Sequence, residues 1–143
     1  MIRYIRKAQY HETDQMGVIY HANYFKWMEE ARVALLDSLG FSYAEIERSG
    51  IAAAVVGVSA EYRKPVCFGD EVTVDARVAK YNGVTVTFAY EIRNAVDGAI
   101  CTTGMTKHCF LKDGKAARIG RILPGVDKAL RSAIESDVGE QTK

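Results

Sequence analysis

From residue 23 onward the apolar positions fall into a helical rhythm. Tyr24, Trp27, Met28, Ala31, Leu35 and Leu39 recur at steps of three and four, so a helix gathers them on one face. Asn23 is a suitable N-cap and Gly40 a stop signal, which predicts a helix of about five turns. Ser42 and Glu45 have capping-box spacing and predict a second, short helix ending before Gly50. Elsewhere the pattern is that of strands. Residues 2–10 mix β-branched and aromatic side chains with basic ones. Residues 51–62 are rich in Ala and Val, and 70–81 alternate, with Val72, Val74, Ala76 and Val78 on one face and Thr73, Asp75, Arg77 and Ala79 on the other. Further strands are predicted at 84–92 and 99–111, with Asp97-Gly98 as the hairpin signal between them. Asp113-Gly114 marks a second hairpin returning through 115–119. Pro124 opens a predicted C-terminal helix carrying Val126, Leu130 and Ile134, and 136–143 read as a frayed polar tail.

The order is strand, long helix, then four or five mainly antiparallel strands. A long helix must bury its apolar stripe against something broad, and a strongly curved sheet wrapped around it meets that need. The pattern therefore predicts an α+β architecture, one helix on one sheet, as a single domain over 1–143. It leaves the strand order open. The strand at 51–61 is apolar over most of its length, poor protection for an exposed edge, so it is expected to pair with a second copy of the chain.

Composition narrows the function more by exclusion than by indication. With 48% hydrophobic and 26% charged residues the chain reads as an ordinary globular protein. Nineteen basic and 18 acidic residues leave a net charge of +1, no broad field for nucleic acid or anionic membrane, so any anion site must be local. Cys67, Cys101 and Cys109 are odd in number and widely spaced, as expected of reduced thiols in a cytoplasmic protein. Residues 1–10 lack the apolar run of a signal peptide, and no stretch approaches the ~20 apolar residues needed to span a bilayer. Neither export nor membrane insertion is expected.

Reactive side chains concentrate in residues 10–24: Tyr10, His11, Glu12, Asp14, Tyr20, His21 and Tyr24, with Gly17 between them, all just before the long helix. The first amides of a helix lack internal acceptors and carry the positive end of its dipole. They are ready donors to a carbonyl oxygen that becomes anionic during acyl transfer. A carboxylate a few residues upstream can face that carbonyl as nucleophile or as general base toward water. Asp14 holds that position, and Gly17 allows a close backbone approach. Asp14 equally suits an Asx-turn, His21 suits packing on Tyr24, and Glu29 and Arg32 have the spacing of a structural ion pair.

The run Tyr-x-x-Thr-Asp-x-x-Gly-Val-Ile-Tyr-His-x-Asn-Tyr over 10–24, followed by Glu29-x-Ala31-Arg32, resembles the signature of the 4-hydroxybenzoyl-CoA thioesterase family. It looks closest to the branch of short acyl-CoA thioesterases associated with the Tol–Pal system. The likeness continues through Glu61-Tyr62-Arg63-Lys64-Pro65-Val66 and Gly69-Asp70-Glu71. It implies a hotdog fold, a long helix wrapped by an antiparallel sheet, assembled as a homodimer or dimer of dimers with acyl-CoA at the subunit interface. The implied activity is hydrolysis of an acyl-CoA thioester, with no metal and no cofactor beyond the CoA of the substrate. The family's catalytic aspartate matches Asp14. Both the amide that polarises the thioester carbonyl and the histidine that contacts the site match His21. Tyr10, Gly17, Tyr20, Asn23 and Tyr24 are the candidate substrate-binding residues around them. Arg63 and Lys64 are candidates for the CoA phosphates, or a solvated strand end. No family role carries over to His11 or Glu12.

Other chemistries fit less well. His11, Asp14 and His21 lack metal-ligand spacing. Gly57-Val58-Ser59-Ala60-Glu61 is a partial serine-nucleophile elbow without its second glycine, inside a predicted strand. A hotdog protein that binds acyl-CoA without cleaving it has no need of Asp14 at the helix entrance. A hotdog dehydratase would pair a histidine with a glutamate on the helix, whereas His21 lies ahead of it.

Overall fold

The alternation read at 70–81 becomes the inner wall of the molecule. In the computed structural model, which describes residues 1–141 and side chains through 134, β3 (Glu71–Tyr81) turns Val72, Val74, Ala76 and Val78 inward, each with 1% or less exposed. It is one of six antiparallel strands. In chain order these are β1 (Ile2–Lys7), β2 (Ile51–Tyr62), β3, β4 (Thr85–Asn94), β5 (Ile100–Lys112) and β6 (Lys115–Ala116). Their order across the sheet is β1-β3-β4-β5-β2, with β6 hanging from β5. Register breaks at Val55/Gly57, Val78/Lys80 and Ile92/Arg93 are bulges, which sharpen twist and let the sheet curl. Inside the curl lies α1 (Asn23–Ser38), its Trp27, Met28 and Ala31 fully buried. The hotdog arrangement expected from the motif is what the chain adopts.

Local signals placed most of these elements well. Ser42 and Glu45 form the capping box that starts α2 (Tyr43–Arg48), the Glu45 amide reaching the Ser42 hydroxyl at 3.2 Å. Asp113 and Gly114 adopt the positive φ values of 53° and 77° that a two-residue hairpin requires. The strand expected at 115–119 stops at Ala116, because the fully buried Ile119 gives its N–H to the Gly83 carbonyl instead of the ladder. Pro124 opens α3 (Pro124–Gln141), which packs Val126 and Leu130 beside β3. Its backbone stays helical past residue 136, where a frayed tail was expected; residues 142–143 of that tail lie outside the described residues. Among the described residues no helix is long and apolar enough to cross a membrane.

Position 104 fixes how closely α1 approaches the sheet. A Cβ built on Gly104 in β5 would fall 2.9 Å from the Met28 sulfur and 3.1 Å from the Ser59 carbonyl oxygen. The Met28 side chain occupies the space that the missing methyl leaves.

Two expectations about α1 are corrected. Asn23 does not cap it: Ala22 is the N-cap residue, and the buried Asn23 amide instead donates to the Glu12 carbonyl at 2.8 Å. Arg32 does not pair with Glu29. It points inward, donating to the Tyr43 and Tyr90 hydroxyls at 2.6 and 3.2 Å, while Glu29 faces solvent. Tyr90 shares a hydrogen bond with Thr106 at 2.7 Å, and Thr106 another with His108 at 2.9 Å. This polar chain runs through the core.

His108 is 2% exposed, and burial, with the Arg32 charge added, pushes its imidazole down to about 4. The folded protein therefore holds His108 neutral while the unfolded chain protonates it near 6.5. Between those values the unfolded state binds the extra proton, so stability falls as pH drops from 6.5 toward 4, by at most about 3 kcal/mol from this group. Urea midpoints measured at pH 7, 5.5 and 4.5 should decline, and His108→Gln should flatten the decline.

Candidate active site

The reactive segment forms a tight loop between β1 and α1. A 3-10 turn at Tyr10–Glu12 leads into Thr13, which bridges antiparallel to Ile19, so 14–18 form a closed turn. The Asp14 amide donates to the Val18 carbonyl at 2.8 Å and the Gly17 amide to the Asp14 carbonyl at 3.1 Å. Gly17 has φ +81°, a backbone conformation that side chains resist. One carboxylate oxygen of Asp14, Oδ1, accepts from the Met16 amide at 2.8 Å, as in an Asx-turn. The other has no hydrogen-bond partner among the described residues. The two readings of Asp14 are thus compatible: one oxygen orients the side chain and the second is left available.

At the helix entrance the backbone is bonded in a way that leaves two donors over. Tyr20 donates to the Glu12 carbonyl at 2.9 Å, and Asn23 to the Tyr20 carbonyl at 2.9 Å. The amides of His21 and Ala22 between them donate to no group among the described residues. Because Asn23 turns inward and no side chain caps α1, these N–H groups remain free at the positive end of the helix.

Asp14, His21, Tyr24, Arg63 and Lys64 meet in one cleft of about 300 Å³, completed by Met16, Val18, Ile19, Tyr62 and Pro65. Burial pushes the Tyr24 phenol up to about 12, which makes it a neutral wall. Four candidates stand outside this lining. Tyr10 is 75% exposed and packs edge-on against Phe68. Tyr20 covers the outer side of the His21 ring, centroids 4.4 Å apart. Asn23 is spent on the Glu12 carbonyl, and Gly17 shapes the turn. Tyr62 falls within the family likeness at 61–66, which assigns it no role; its place in the cleft comes from the fold. A larger hollow of about 740 Å³ opens along β2–β5, but its Asp75 is held by Arg3 at 2.7 and 2.9 Å.

Sequence reasoning also passed over Glu12. It is 4% exposed, and its carboxylate accepts from Arg6 at 2.6 and 3.0 Å, from the Trp27 indole at 2.8 Å and from the Gln9 amide at 2.9 Å. Burial opposes its ionisation, yet the Arg6, Trp27 and Gln9 donors outweigh that and hold the carboxyl below the ordinary range. Arg6 also reaches Glu30 at 3.2 Å and lies over the Trp27 ring, 5.4 Å from its centroid. Strand, turn and helix are joined through this one side chain.

The same architecture recurs in known proteins. A family model described as the thioesterase-like superfamily matches residues 8–134. A Bacillus subtilis protein provisionally named acyl-CoA thioesterase YneP is 42% identical over 88 residues, which cover 62% of this chain and 64% of that protein's own length. The acyl-CoA thioester hydrolase YbgC of Escherichia coli O157:H7 is 28% identical, covering 66% of this chain and 71% of its own. Among solved structures, a DHNA-CoA thioesterase from Staphylococcus aureus superposes with a TM-score of 0.90 at 35% identity, over 99% of this chain and 94% of that one.

Removing the Glu12 charge should loosen the whole segment. Glu12→Gln leaves Arg6 with Glu30 alone as its counter-charge, and should cost about 2 kcal/mol in a urea titration. A loss below about 1 kcal/mol would mean that the cluster is replaceable by water.

Proposed function

The chain is a hydrolase of the thioesterase-like superfamily, and on that premise we propose that it cleaves an acyl-CoA thioester through Asp14. One observation carries the proposal: a carboxylate with an unpaired oxygen lines the same cleft as His21, whose backbone amide is free at the helix entrance. The amide donates to the thioester oxygen as it gains charge. Asp14 either attacks the thioester carbon, expelling CoA thiolate and leaving a mixed anhydride that water opens, or takes a proton from the attacking water. The Met16 amide on Oδ1 aims the side chain in both cases. A protein that only binds acyl-CoA gains nothing from a carboxylate so placed. Arg63 and Lys64, exposed at the cleft rim, are suited to the CoA phosphates.

Two readings of the acyl group are supported. The 10–24 motif favours a short aliphatic chain, as in the Tol–Pal-associated branch. The likeness to the DHNA-CoA thioesterase, at 35% identity across nearly the whole chain, favours an aromatic one. Thiol release from acetyl-, hexanoyl- and benzoyl-CoA separates them.

We place the chain in the cytoplasm as a homo-oligomer. Its thiols are unpaired, and β2, an edge strand, exposes Val55, Val56 and Val58 to 56%, 57% and 55%. Such an edge suits pairing with a second copy. Sedimentation at micromolar concentration should give at least a dimer; a monomer refutes this part.

Asp14→Asn keeps size and the Met16 contact but removes nucleophilicity and basicity. Turnover should fall by at least roughly 10²-fold while acyl-CoA binding persists. Near-normal turnover would remove Asp14 from the mechanism. A single turnover in heavy-oxygen water then distinguishes the routes: label in the Asp14 carboxylate requires direct attack, since general-base catalysis places it only in the product acid.

A further inference from the structure

His21 lies between two peptide groups whose carbonyls are both held. The Tyr20 carbonyl, on the same peptide plane as the free His21 amide, accepts from Asn23 within the turn. The His21 carbonyl accepts from the Tyr62 hydroxyl at 3.1 Å, across 41 residues of sequence. Its other donor, the Tyr24 amide, stands at 3.4 Å, beyond the usual range for a good N–H···O bond. A peptide unit is planar, so the chain on either side of His21 turns only about the bonds to its Cα. The Tyr20 carbonyl shares its peptide plane with the His21 N–H and the His21 carbonyl shares its own with the free Ala22 N–H, so the two bonds together fix both free donors and the turn about the His21 Cα. One of these anchors is local; the other comes from the end of β2.

We propose that Tyr62 is a positioning residue: its hydroxyl holds the His21–Ala22 peptide, so that the Ala22 N–H is fixed beside the His21 N–H and the pair of free amides faces the thioester oxygen. This rests on the thioesterase reading above. Oxyanion donors act by being aimed before charge develops, so a bond that restricts their swing contributes to kcat without touching substrate. The Tyr62 ring has a separate place, beside Tyr24 at 5.2 Å and edge-on to His21 at 6.4 Å, as part of the cleft wall. Ring and hydroxyl can therefore be tested apart. The residue is 47% exposed, so loss of the hydroxyl strands no deeply buried partner and should leave the fold intact.

The experiment compares Tyr62→Phe, Tyr62→Leu and Asp14→Asn with the parent on hexanoyl- and benzoyl-CoA, alongside thermal melts. Tyr62→Phe should lower kcat on the order of tenfold, less than the 10²–10³ of losing a whole oxyanion donor, with KM and melting temperature unchanged. Tyr62→Leu should lower kcat and also raise KM. If Tyr62→Phe stays within twofold of the parent in kcat, or changes KM alone, the residue is only a wall and the inference is overturned. Should its melting temperature fall, kcat measured well below the lowered transition decides, and a value within twofold of the parent overturns the inference. Full turnover by Asp14→Asn would instead sink the Asp14 mechanism. Its loss beside an intact Tyr62→Phe would sink only the role of Tyr62.

Discussion

Burying the Glu12 carboxylate removes a negative charge from water, at a cost that only donors on every side can offset. Arg6, Trp27 and Gln9 supply them, from β1, α1 and the loop between. The backbone of Glu12 is engaged no less than its side chain, since its carbonyl takes both the Tyr20 amide and the Asn23 side chain. Everything downstream hangs from this knot: the closed turn that displays Asp14, the angle at which α1 leaves it, and the two amides left free at the helix entrance. Loops usually carry function at the expense of precision, and scaffolds supply the precision. Here the loop is tied into the scaffold by a buried charge.

The interior of the fold contains a second charge handled in the opposite way. Arg32 has no carboxylate partner among the described residues and is solvated by the phenols of Tyr43 and Tyr90, with Thr106 and His108 continuing the chain. A guanidinium so placed disfavours any further positive charge nearby, which adds to burial in keeping His108 neutral. The two networks meet α1 at different residues, one through Asn23, Trp27 and Glu30 anchoring it to β1 and the loop, the other through Arg32 to α2 and the sheet.

What the sequence displayed was whatever local chemistry decides. The helical stripe of α1, the capping box of α2, the alternation of β3 and the two Asp-Gly hairpins each depend on neighbours within a few residues, and each was legible. Strand order was not, because it records which edges meet after collapse. Asn23 misled for a related reason: its type favours a cap, but the Glu12 carbonyl, brought close only by the fold, competed successfully for its side chain. Arg32 and Glu29 have ion-pair spacing, yet the hydroxyls of Tyr43 and Tyr90 draw the arginine inward. Of the site, the motif marked Asp14 and His21, which do share a cleft, and the bases at 63–64. Tyr10 and Tyr20 belong to the same motif but cover its outside, a distinction of side-chain direction that residue type does not encode.

The fit of Met28 into the space above Gly104 makes those two positions one unit. A side chain at 104 must displace the end of the Met28 thioether and press on the Ser59 carbonyl, and a shorter residue 28 leaves a hollow unless 104 grows. Neither can drift alone without either a clash against the Ser59 backbone or a void at the centre of the molecule. Changes at the two positions are therefore coupled, a larger residue at 104 being accommodated best by a smaller one at 28. Any redesign of the cleft end of the helix inherits that coupling, because Met28 lies one turn beyond Tyr24 on the same face.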